Sequence, residues 1–155
     1  MTVEQQIILK KALQQKCVCI IEERIASTLQ LMNNAQEAAN SESKSSAGDK
    51  YETSRAMNHL QKDMYASQLS ANRRELAALI NINCGSIATV LRNGSFIQTT
   101  QAGFFIAAGL GKIMMDGSTV YLLSPAAPLS QLLYTKKSGD SFLFNKKQLL
   151  IDKFY

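Results

Sequence analysis

The 155-residue chain has no tryptophan, a single histidine, two prolines and three cysteines. Each scarcity excludes a class of protein. Cys17, Cys19 and Cys84 are odd in number and lack paired spacing, so they make no disulfide framework. Cys17 and Cys19 lie in LQQKCVCIIEERI, a helical pattern in which positions two apart point in different directions. No second cysteine or histidine pair is present to complete a zinc site. His59 sits in a polar helical stretch and reads as a surface residue. Long apolar runs are also missing. CVCII and GFFIAAGLG fall well short of the roughly 18 residues that a membrane span requires. The N-terminus carries an acid and glutamines early and has no signal-peptide core. The expectation is a soluble cytoplasmic protein with reduced thiols and no membrane partner.

Acid is scarce in one half only. Residues 1–80 hold ten basic and nine acidic side chains, whereas residues 81–155 hold seven basic and three acidic. A modest basic excess of this kind suits an acidic protein surface or nucleic acid, and simple solubility accounts for it equally well.

Glycine and proline are absent from Thr2 to Asn40. There Val18, Ile21, Ile25, Thr28, Met32, Ala35 and Ala39 alternate steps of three and four, which is a heptad seam. Ile7, Leu9, Leu13 and Cys17 fit a shifted frame, so the seam drifts or stutters near its start. The polar stretch Ser41–Gly48 breaks the pattern. A second helix resumes near Asp49 or Lys50, with Met57, Leu60, Met64, Ser67 and Ala71 as its expected seam. Two seams joined by a short polar break predict an antiparallel helical hairpin, whose arms of thirty residues would each extend ~45 Å. A dimerising coiled coil is the competing reading, and the helix-breaking SESKSSAG favours a monomeric hairpin.

The period changes after Ile82. GSIATVL, GSFIQTT, GFFIAAGL, STVYLLS, DSFLFN and QLLIDKFY read as short strands rich in β-branched and aromatic residues. Asp116-Gly117 marks a tight turn between KIMM and STVYLLS. Pro128 opens PLSQLLYTKK, a single short helix. Ser138-Gly139-Asp140 turns into a last hairpin. The fold class expected is α+β: a coiled-coil hairpin over residues 1–80 with its tip at about 41–52, then a small antiparallel sheet domain over 81–155 with one helix. Phe105, Leu122, Leu132, Phe142 and Ile151 belong to the expected sheet core. The sheet domain is expected to fold alone from about Ile82.

Within this frame, Gly48-Asp49-Lys50-Tyr51-Glu52 resembles the G-D-x-x-E tip of the Gre transcript-cleavage factors (GreA/GreB) of bacterial RNA polymerase. Ala127 to Asp140, APLSQLLYTKKSGD, resembles the S-P-hydrophobic…L-x-G-K-K-x-G-D segment of the same family's FKBP-like domain, and both chains close on a strand ending in tyrosine. The resemblance covers most of the chain in the same order. Ala127 replaces the family's serine, Thr135 replaces a glycine, Tyr51 is bulkier than the pattern suggests, and the region from Gly85 to Ser124 looks trimmed. The resemblance implies a transcription elongation factor whose tip enters the polymerase secondary channel. It is not an enzyme by itself: Asp49 and Glu52 would help position a Mg²⁺ ion shared with polymerase, and the nascent RNA 3′ end would be met indirectly. Lys44, Lys50, Tyr51 and Arg55 are candidate partner or RNA contacts. Pro128, Lys136, Lys137 and Asp140 are candidates for docking.

The residues alone make sense of the acids in two ways. Positions three apart in a first helical turn share a face. Two carboxylates there suit Mg²⁺, which takes one or two of them and keeps its waters, and RNA hydrolysis benefits from two metals ~4 Å apart. Asp followed three residues later by Glu is equally close to a capping box, and acids favour a helix N-terminus. Beside cleavage stand a channel-binding regulator or inhibitor without cleavage activity, a prolyl isomerase or chaperone, and a structural coiled coil. The isomerase is disfavoured because few aromatics are arranged to line a proline pocket.

Overall fold

The structure, a computed structural model, describes residues 1–42 and 48–155, without the side chains at 42 and 48–51. Two long helices come first, α1 (Val3–Glu42) and α2 (Gly48–Ile80), and form a helical hairpin. Six strands and one helix follow: β1 (Phe96–Thr99), β2 (Gly103–Ile106), β3 (Gly111–Met115), β4 (Ser118–Leu123), α3 (Pro128–Leu133), β5 (Ser141–Phe144) and β6 (Lys147–Phe154). The class is α+β. No helix among the described residues is long and apolar enough to cross a membrane.

α1 starts where its sequence can satisfy the first orphan amides. Gln5 N donates to Thr2 Oγ1 at 3.2 Å and Thr2 N donates to Gln5 Oε1 at 2.8 Å, a reciprocal capping box. Lys10, Leu13, Cys17, Ile21 and Thr28 are buried along α1, and Ile25, Met32, Ala35 and Ala39 are half-buried. The covered line thus takes consecutive steps of four from Leu13 to Ile25 and then alternates, which is the stutter the apolar pattern suggests. α2 departs from expectation. Met57, Leu60 and Met64 are 63%, 69% and 49% exposed, and Ser67 and Ala71 are exposed as well. The covered positions are Ser54, Asn58, Tyr65, Leu69, Asn72, Glu75, Leu76 and Leu79. The seam is displaced because Met57, Leu60 and Met64 lie on the open side of α2, while Ser54, Asn58 and Asn72 share its covered side with three leucines.

The contacts divide the chain into two compact units, Ile21–Ala77 and Met1–Ile20 with Ala78–Tyr155. This differs from a boundary at residue 80. The first five turns of α1 belong with the sheet because Lys10 Nζ donates to Ser86 O at 2.9 Å and Gln14 Nε2 donates to Leu79 O and Ile82 O at 2.8 and 2.9 Å. A chain beginning at Ile82 would remove these donors together with buried Leu13 and Cys17.

The sheet order is β3-β4-β2-β1-β6-β5. All pairs are antiparallel except β2 with β4, which is parallel, so the sheet is mostly and not wholly antiparallel. GSIATVL forms no strand. In that region Cys84, Ala88 and Leu91 are buried, a spacing of four and three rather than two, and Lys10 occupies a carbonyl that a ladder would need. Two-residue turns close the β3–β4 and β5–β6 hairpins: Asp116-Gly117 with φ of 49° and 78°, and Asn145-Lys146 with 48° and 65°, the left-handed pair a type I′ turn requires. One face of the sheet carries Ile97, Phe104, Ile106, Phe142, Leu149 and Ile151 against Leu133 of α3. Leu133 is fully buried and Leu132 is 43% exposed, so α3 turns the second leucine inward and not the first. The opposite face buries Phe96, Phe105, Val120 and Leu122, and the Phe96 ring lies so close over Gly103 that an added Cβ would stand 2.5 Å from it.

Candidate functional site

α2 begins at Gly48, so position 49 falls in its first turn and position 52 just after it, at the spacing where helix positions share a face. Glu52 is exposed, and so is Arg55 one turn further on. Lys44 lies outside the described residues. Lys50 and Tyr51 stand in the backbone of α2 with side chains outside the described set, as does Asp49. The arrangement that is described offers one open carboxylate at a helix start, followed by a cation. An exposed carboxylate fits a hard, hydrated Mg²⁺ whose remaining ligands come from another molecule. Among the described residues, no group of three or more His, Cys, Asp and Glu could hold a metal within this chain.

The docking candidates lie around α3. Pro128 occupies the first turn of α3, where its missing N–H costs nothing, and it is exposed. Asp140 has a local partner: its Oδ2 accepts from Lys137 N at 2.8 Å. Gly139, with φ of 92°, gives its N–H to Ile151 O at 2.8 Å. The lysine pair and Asp140 therefore build the turn into β5, and the Lys137 side chain stays exposed while Lys136 is half-covered. Tyr134 reaches from the end of α3 to Asn93 Oδ1 at 2.6 Å, and burial raises its pKa.

Two features escaped the sequence reading. The first is a buried lysine. Lys10 is 1% exposed, and burial lowers its pKa, with Arg92 acting in the same direction and Cys84 against it. Arg92 in turn donates to Ser86 Oγ at 2.9 Å, so both cations serve the same loop. Cys17 is buried and Cys19 exposed, so the two thiols occupy different surroundings. The second feature is a cluster of aromatic side chains. Phe104, Tyr121, Phe142 and Phe144 gather on one face of the sheet, with ring centroids 4.7–5.4 Å apart. They come from β2, β4 and β5: Phe104 pairs with Tyr121 across the parallel ladder, and Phe142 and Phe144 reach them from the far edge strand of the sheet. No protein-family model matches the chain, and comparison with curated proteins and with solved structures finds no match.

Proposed function

We propose that this protein is a transcription factor of the Gre type, which binds the secondary channel of bacterial RNA polymerase and stimulates cleavage of backtracked RNA through Asp49 and Glu52. The observation that carries the reading is the start of α2 at Gly48. It puts the two acid positions of GDKYE within the first five residues of the returning helix of a hairpin, and a sheet unit with one short helix follows. A helix pair is stiff, and the bend between its helices is the part suited to a narrow channel. In this reading the sheet unit, of FKBP-like type, docks on polymerase and the hairpin presents the acids.

Glu52, exposed on α2, would accept hydrogen bonds from water at the polymerase centre and hold that water in line with the RNA phosphate. Asp49 would share the same task one helical step earlier. Arg55 would offset phosphate charge on the RNA end. A Mg²⁺ held jointly with polymerase supplies the Lewis acidity that makes water a nucleophile at neutral pH.

The test is cleavage in a stalled, backtracked elongation complex. Asp49→Asn keeps an oxygen able to cap a helix and removes the charge. It should lower stimulated cleavage by at least ~10-fold, a loss of about 1.4 kcal/mol of transition-state stabilisation, with polymerase binding unchanged. Asn cleaving as well as Asp would leave the acid as a cap. A wild-type protein that binds polymerase and never stimulates cleavage would make the channel-blocking regulator the better account.

A further inference from the structure

The aromatic cluster is not sealed. Between β4, the β1–β2 turn and the tip of the β5–β6 hairpin lies a cleft of about 190 Å³, lined by Tyr121, Phe144, Leu149, Gln101, Asn145 and Lys147 among others. That volume lies below the ~300 Å³ at which sites for whole small molecules begin, and it suits one large side chain. The floor is apolar. The rim carries two amides, Gln101 and Asn145, which are exposed and able to bond an extended backbone. The charge around it has one sign. Lys147 pairs with Phe144 across β5–β6, and Lys112 pairs with Tyr121 across β3–β4, so both lysines stand on the same face as the rings. Both are exposed. Among the described residues, none that lines the cleft is an acid.

We propose that this cleft is a docking site for an acidic protein segment, which inserts one large apolar side chain into the cleft against Tyr121 and Phe144 while its carboxylates face Lys112 and Lys147. The proposal extends the reading of the sheet unit as a docking module, and its test leaves polymerase out so that the two can fail separately. Nucleic acid would also meet the charge, but bases stack on open ring faces. Here Phe144 stands at 69° to Tyr121 and 88° to Phe104, and one face of Tyr121 lies against Phe104 at 19°. The rings are engaged with each other and form one wall of the cleft, not a stacking platform. An apolar anchor in a preformed pocket ringed by polar groups is the usual centre of a protein contact.

The experiment titrates the isotope-labelled full chain with a blocked heptapeptide that has one central phenylalanine flanked by aspartates. Saturable amide shifts are expected at Thr119, Tyr121 and Phe144–Lys147. Replacing the phenylalanine by alanine should weaken binding at least ~5-fold, and replacing the aspartates by lysines should abolish it. Lys112→Glu with Lys147→Glu changes two exposed positions and should leave the spectrum folded. It should lower affinity at least ~10-fold at low salt, and less as salt screens the charges. Absence of saturable shifts at these residues overturns the proposal, as does tighter binding of a uridine oligonucleotide at the same residues. Peptide binding by a chain that never binds polymerase would keep the cleft and discard the functional reading. Polymerase binding without peptide binding would do the reverse.

Discussion

The two units of this chain are held in different ways. Across Ile21–Ala77, the buried side chains among the described residues are Ile21, Thr28 and Leu69. One of the three is a threonine, whose Oγ1 bonds back to Arg24 O at 2.9 Å. Beyond them the inner line is only half-covered, with Ile25, Met32, Tyr65 and Leu76 interspersed among Ala35, Ala39, Ser54, Asn58, Asn72 and Glu75, helped by a bond from Lys62 Nζ to Gln36 Oε1 at 3.1 Å. The sheet unit instead buries both faces of its sheet, with Ile97, Phe104, Phe105, Ile106 and Ile151 at 0% exposure. A fully buried large apolar side chain contributes ~1.5–3 kcal/mol. Stability therefore concentrates in the sheet unit, while the helices of the other unit rest on long runs of backbone hydrogen bonds and few side chains. The two units should open at different free energies.

The strongest way to break this contrast is Phe104→Ala. The ring touches three other rings and carries no polar atom, so its removal should cost ~3–5 kcal/mol and bring down the denaturation midpoint of the sheet unit, read by near-ultraviolet circular dichroism. Leu69→Ala should have a smaller effect, ~2–3 kcal/mol, because Leu69 is 8% exposed and its neighbourhood can relax. Its signature should be local. Amide exchange across residues 25–39 and 54–72 should accelerate while β1, β2 and β6 keep their protection. Equal acceleration everywhere would show that the units open together and would remove the contrast.

The same contrast explains what could be read in the sequence. The heptad steps of α1 and the DG turn are local signals, and both elements formed where the pattern put them. Pro128 likewise set the start of α3. The inner line of α2 was not legible, because its apolar residues lie on both sides: Met57, Leu60, Met64 and Ile80 are exposed, whereas Leu69, Leu76 and Leu79 are covered. Hydrophobicity marks the inner face only where the core is apolar, and this one is mixed. The parallel pairing of β2 with β4 was hidden for another reason: it joins distant segments, and no local pattern encodes it. The aromatic cleft depends on that pairing. For the tip, the sequence pointed to Asp49 and Glu52 through spacing and resemblance, and the structure adds the helix start at Gly48 and the exposure of Glu52. The inward turn of Lys10 had no signal at all, since a lysine on a long helix reads as solvated.

The smallest expected effect concerns that lysine. Burial holds the Lys10 ammonium below its ordinary pKa of 10.5. The native protein therefore binds fewer protons than the unfolded chain between the folded pKa and about 10.5. The cost of burying the charge is fully present below the folded pKa, and it is relieved as pH rises through that value. Other groups run the opposite way. Burial raises Cys84 above 9.0 and Tyr134 and Tyr155 above 10.0, so their neutral forms are favoured in the fold and stability falls as pH passes those ordinary values. The alkaline curve of the wild type mixes both signs. Lys10→Met separates them, because it keeps the length of the side chain and leaves the thiol and both tyrosines in place. It also removes the positive charge that lowers the Cys84 pKa, which makes the variant lose more stability in alkali and so adds to the same sign. The difference in urea midpoint between wild type and Lys10→Met should stay constant in acid and shift in favour of the wild type as pH climbs toward about 10.5. A difference that is flat over the whole range would mean that Lys10 is as well solvated in the fold as in the unfolded chain, and that its bond to Ser86 O is made at the surface.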